Sequence, residues 1–248
     1  MSMADRARQL VGLLAVSEDS VAWLAGMLRD VFEAPAGAAG TRGASVGDER
    51  RRRRAAALAA TATTACAPLV AAIREYMLEL HGDLDVGLPP EPGAPTAGAL
   101  MVACTVALRT FARAAGHLVA PHLEMLALYV RGLEGMGAEV RAPRARGGEG
   151  VFVYDASQFS QASRQLRLVV TQTLTACLPH AAGIPRMVAG QLVANLRARL
   201  EAGSPGEMIA SAACLGRLAT QRVRLDAAGH TASAVVVGVL HSCAAARR

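Results

Sequence analysis

Residues 97–119 read AGALMVACTVALRTFARAAGHLV, and the spacing of their apolar side chains decides the fold class. Leu100, Cys104, Leu108, Phe111, Ala115 and Leu118 recur every three or four residues. At 3.6 residues per turn that spacing stacks them into one stripe along a helix, whereas a strand would throw them alternately to two faces. Arg109, Arg113 and His117 repeat every four residues on the other side, where a solvated face or a basic ridge is expected.

Working outward, the same period recurs. Residues 3–34 carry Leu10, Leu14, Val21, Leu24, Leu28 and Val31 at helical spacings, and Ser17 before Glu18 and Asp19 is a helix-capping pattern that predicts a break there. From Asp48 the stretch DERRRRRAAALAATATTAC is strong helix-forming material, expected to bend or stop at Pro68 and to continue to about Leu80 through Leu69, Ile73, Tyr76 and Met77. Pro121 is expected to start a helix with Met125, Leu126, Tyr129, Val130 and Leu133 inward. Asp155 or Ser157 can cap another, with Phe159, Leu166, Val170, Leu174 and Cys177 facing the core and Pro179 ending it. A helix over 185–202 places Val188, Leu192, Leu196 and Leu200 inward. Ser204 as N-cap and Pro205 at the first helical position open the next, with Met208, Ala212, Leu215 and Ala219 as its core row. A last helix is expected from about Ala232.

Only VFVYDAS (151–157) and VVVGVL (235–240) read as strands. The expectation is an all-α fold, an antiparallel bundle of about eight helices with at most two very short strands. It divides into an N-terminal helical segment over 1–34, a flexible Gly/Ala linker over 35–47 and a main bundle over 48–248, with mobile loops at about 81–96 and 137–150.

Composition agrees. Apolar residues make up 52% of the 248, but aromatics only 3%, so the core must be built from Leu, Val, Ala and Met, which suits close-packed helices. The formal charge is +6, and since the chain contains no lysine every basic residue is arginine. Asn occurs once, at Asn195, and Ile three times, a bias that follows GC-rich codons. Cys66, Cys104, Cys177, Cys214 and Cys243 are odd in number and far apart, which fits buried thiols in a reducing compartment rather than a disulfide framework. No signal peptide is read at the N-terminus, and the longest charge-free C-terminal run holds two histidines and falls short of a span. An intracellular location, cytoplasmic or nuclear, is expected.

Chemistry-bearing motifs are sparse. GASVG (43–47) fits the spacing of a serine-hydrolase elbow, but such an elbow needs a strand before Ser45, and only Gly/Ala linker precedes it. Cys177 with His180, and His241 with Cys243, offer zinc-type ligands at spacings that do not converge on regular helices. His117, His122 and Glu124 flank Pro121 and are expected to serve as surface or cap residues. The lack of lysine excludes Schiff-base, pyridoxal-phosphate and Walker-lysine chemistry. The sequence therefore predicts no catalytic, cofactor-binding or metal-ligating residue, and a non-enzymatic interaction or adaptor protein whose partner is most readily another protein. The arginine run Arg50, Arg51, Arg52, Arg53 and Arg54 wraps the whole circumference of a helix, so most of it must face solvent or a partner. With Arg141, Arg144 and Arg146 it is the candidate site for an acidic partner or a nuclear address, or for nucleic-acid phosphates in the alternative reading. A small-ligand cavity between helices is a third possibility, and a homo-oligomer is compatible with all three.

Overall fold

The structure, a computed structural model, describes residues 1–32, 46–86, 93–133 and 156–220, and all regular structure within them is helical. In chain order the elements are α1 (Met3–Val16), α2 (Glu18–Phe32), α3 (Val46–Val86), α4 (Ala97–Ala114), α5 (Gly116–Val119), α6 (Leu123–Leu128), α7 (Ala156–Cys177), α8 (Arg186–Ala202) and α9 (Pro205–Thr220). Short 3₁₀ turns at Ala120–His122, Tyr129–Arg131 and Leu178–His180 carry the chain around corners.

The quoted stretch is the hub. Thr96 caps α4 by accepting from the Ala99 amide, and Met101, Ala103, Cys104, Thr105, Ala107, Leu108, Thr110, Phe111 and Ala112 are all buried. So wide a buried surface means that neighbours cover most of the helix, and α1, α2, α3 and α7 all pack on it. Their small and branched side chains allow this: Ala103 and Ala107 admit close approach, while Leu108 and Phe111 fill volume. Thr105 and Thr110 satisfy their hydroxyls on the helix's own carbonyls, so burial strands no donor. A second layer forms where α9 packs against both α7 and α8. Val11 and Leu14 of α1, Leu24 and Leu28 of α2, Leu166 and Leu174 of α7, and the leucines of α8 and α9 join one apolar cluster.

Several local expectations need revision. α3 neither stops nor breaks at Pro68 but runs 41 residues, reaching Val86 and so six residues into the stretch expected as loop. Its inward stripe explains this: the half-buried Ala59, Thr63 and Cys66 continue as the buried Val70, Ile73, Met77 and Leu80, and this packing outweighs the hydrogen bond that proline forfeits. Pro121 sits in a 3₁₀ turn before α6. Of the first expected strand, Ala156 and Ser157 are helical, while 151–155 and the second strand at 235–240 lie outside the described residues, as do the expected last helix and loop 137–150. Val31, expected in the core stripe, is exposed, and in α9 the buried row is Glu207, Ala210, Ser211, Cys214, Leu215 and Leu218 rather than Met208, Ala212 and Ala219. The face of α9 turned inward thus includes a charged residue, Glu207, which its apolar pattern does not mark.

Candidate interaction surface

α3 carries the arginine run on its first turns. Arg50, Arg53 and Arg54 are exposed, and Arg53 pairs with Glu49 one turn earlier at 2.6 Å. Arg51 and Arg52 belong to the same helix, but their side chains lie outside the described residues, as do Arg141, Arg144 and Arg146 altogether. The structure thus places Arg50, Arg53 and Arg54 on a solvent-facing helix end and leaves the second cluster unplaced. Between Arg54 and Arg74 there is no charged residue, yet the outward side of this half of α3, including Leu58 at 62%, is exposed. Thr61, Thr63 and Thr64 donate their hydroxyls to the carbonyls of Ala57, Ala59 and Ala60, so the threonines present methyl groups.

A second surface escaped sequence reasoning. On α2 the buried stripe is Leu24 and Leu28, and one position away Trp23, Met27 and Val31 form a parallel stripe exposed at 61%, 41% and 36%. Leu13 and Val16 at the end of α1 are also exposed. The available signal was the placement of the only tryptophan one residue off the leucine row.

At the junction of α2, α3, α5 and the turn after α7, the His117 ring lies edge-on to Phe32 at 6.5 Å and to His180 at 6.3 Å, with Nε2 3.2 Å from the Thr63 hydroxyl. His117, His180 and Glu124 border a cavity of about 360 Å³. His122 stays outside that lining; burial, with Arg74 nearby, lowers its pKa. Among the described residues no three His, Cys, Asp or Glu converge as a metal site, and Cys177, buried with its thiol directed at the Leu174 carbonyl, is separated in environment from the exposed His180.

The expected basic ridge on α4 is only partly solvated. Arg109 is half-buried and donates to Gln172 Oε1 at 2.7 Å; burial, then the charge of Arg113, lowers its pKa. Arg113 and Arg217 border a groove of about 430 Å³ floored by Leu168, Ala210 and Ala213. Burial pushes the thiols of Cys104, Cys177 and Cys214 up to about 12, which suppresses the thiolate a nucleophile or metal ligand needs. The ion pair Arg167–Glu207, at 2.8 Å with both side chains under 8% exposed, is tied into helix packing rather than into a cavity. No family model, curated protein or solved structure matches the chain.

Proposed function

We propose that the protein is a non-enzymatic helical interaction protein that binds another protein through the outer face of α2. The observation that carries the reading is the exposure of Trp23, Met27 and Val31 as a single stripe in a chain with so few aromatics. Tryptophan and methionine are the residues that protein interfaces favour as anchors, and a helix presenting them at i, i+4 and i+8 offers a continuous apolar contact. Buried thiols with raised pKa support the non-enzymatic part, because they are poor nucleophiles.

The test is site-specific photo-crosslinking in the cells that make the protein, with benzoyl-phenylalanine at position 23 and, as a control, at the exposed Arg197 of α8. A discrete protein adduct from position 23, absent from position 197 and lost when Met27→Asp is added, is the expected result. Equal adducts from both positions, or none from 23, would refute the reading.

Nucleic-acid binding is the second reading, favoured by the exposure of Arg50, Arg53 and Arg54 at the start of α3. It requires anisotropy with duplex and single-stranded DNA and RNA to show affinity falling steeply with salt, and changing Arg50 to Arg54 to alanine to flatten that slope.

A further inference from the structure

We propose that α3 is the dimerisation element of this protein, pairing antiparallel with α3 of a second copy along its outward face. The inference is independent of the α2 reading and rests on the order of residues along the most outward line of the helix. That line runs Arg50, Arg54, Ala57, Thr61, Thr64, Pro68, Ala71, Glu75, Glu79, at spacings that alternate between four and three as far as Glu75 and close with a further four. Every member is exposed except Ala71, which is half-buried. Spacing of this kind, averaging about 3.6 residues, matches the helix repeat and keeps the whole line on one side of α3 over many turns.

The line has a basic end, an uncharged middle and an acidic end. Arg50 and Arg54 are four residues apart, and so are Glu75 and Glu79. Turned antiparallel about the Thr64–Ala65 bond, two copies place Arg50 opposite Glu79 and Arg54 opposite Glu75, at both ends at once by two-fold symmetry. The same register sets Leu58 against Ala71, Ala57 against Ala72 and Thr61 against Pro68. Small residues let the backbones approach, and Thr61 and Thr64 bring no free hydroxyl into the contact because both already donate to carbonyls of their own helix. The paired segment, residues 50–79, is about 44 Å long at about 1.5 Å per residue.

Charge decides the occupant and the orientation. Parallel pairing would stack one arginine run on the other, whereas antiparallel pairing sets each run against two carboxylates. Glu75 and Glu79 already hold Arg74 and Arg8, but these are surface pairs with the carboxylates 59% and 53% exposed, open to a second cation. A second copy is the partner that supplies both charge sets at the required four-residue spacing.

Sedimentation velocity on the full chain over about 1 to 100 µM tests the pairing. Two variants are used, Arg50→Glu with Arg54→Glu, and Glu75→Arg with Glu79→Arg; all four positions are exposed, and circular dichroism and melting check that each variant folds. Wild type is expected to be dimeric, and each variant alone to self-associate about a hundredfold more weakly, since four attractive pairs per dimer become repulsive. An equimolar mixture of the two variants restores opposite charges at both ends and should dimerise again. A wild type that stays monomeric over the range overturns the proposal, and if it co-sediments with phosphatidylserine vesicles instead, a lipid surface is the occupant. A dimer untouched by either reversal, or a mixture that fails to recover, overturns the α3 register.

Discussion

Replacing Glu207 by Gln should destabilise the protein by about 3–5 kcal/mol, a large part of the roughly 5–15 kcal/mol that holds a typical domain together. Arg167 Nε donates to Glu207 Oε1 at 2.8 Å and Nη1 to Ser163 Oγ at 3.3 Å, and Ser163 Oγ also receives the Leu133 amide at 3.1 Å. The second carboxylate oxygen, Oε2, accepts from the Ser204 amide at 2.9 Å and its hydroxyl at 2.8 Å, the capping arrangement that starts α9. One carboxylate therefore neutralises the guanidinium on α7 and caps α9. Removing its charge takes the Glu207 anion away from a guanidinium whose side chain is 7% exposed. Arg167→Met should cost a similar amount for the mirrored reason, while the double change Arg167→Met with Glu207→Leu should cost far less than the sum, because no lone charge is left behind. Urea titration of the four proteins reads this directly. The pH dependence has a definite sign. Burial alone would raise the Glu207 pKa, but the hydrogen bonds from Arg167 and Ser204 overcome it and hold the carboxyl below its ordinary 4.5. Its contribution is therefore complete above pH 4.5 and fades as pH falls through the lowered folded value, so wild type and Glu207→Gln should converge in stability in acid. Single-variant costs below about 1 kcal/mol, or a gap that widens in acid, would show that the pair is not desolvated as described.

Gly132, at φ +77°, would drive an added Cβ into Ser163 Oγ, so Gly132→Ala should cost about 2–3 kcal/mol in urea titration, whereas Gly12→Ala in open space on α1 should gain about 0.5–1 kcal/mol. In a Cys243→Ser background, dithionitrobenzoate should titrate at most one thiol of the native fold, Cys66, with Cys104, Cys177 and Cys214 reacting only on unfolding; two or more fast thiols would contradict their burial. Trp23 fluorescence should resemble that of free tryptophan in water and be quenched efficiently by acrylamide, and a blue-shifted, shielded emission would show that its stripe is covered.

Much of the bundle was legible because its helices announce themselves through leucine spacing and caps. Ser17 breaks α1 from α2, with its hydroxyl accepting the Ser20 amide at 3.3 Å, and Ser204 with Pro205 opens α9 as their chemistry requires. The core stripe of α4 and, from Leu166 to Cys177, that of α7 fall where periodicity puts them, while the side chain of Phe159 lies outside the described residues. What spacing alone missed depends on partners distant in sequence. Arg167 and Glu207 lie 40 residues apart, and nothing local marks either as buried. The continuation of α3 through Pro68 depends on neighbours from α1 and α4 that cover its second half.

α3 also explains why its exposed middle resisted reading. The inward line, Ala59, Thr63, Cys66, Val70, Ile73, Met77, Leu80, and the outward line, Ala57, Thr61, Thr64, Pro68, Ala71, follow the same four-three spacing. In residues 55–67 both lines consist of small, uncharged side chains, so periodicity cannot choose which side packs. The choice is made further along, where the large Ile73, Met77 and Leu80 fall on one line and Glu75 and Glu79 on the other, and helical continuity carries it back. Folding therefore accounts for the inner line but places no demand on the outer one, where charges would have been tolerated at no cost. An outer line free of charge over that length, with opposite charges confined to its two ends, is the arrangement expected of a surface selected for contact rather than for solvent.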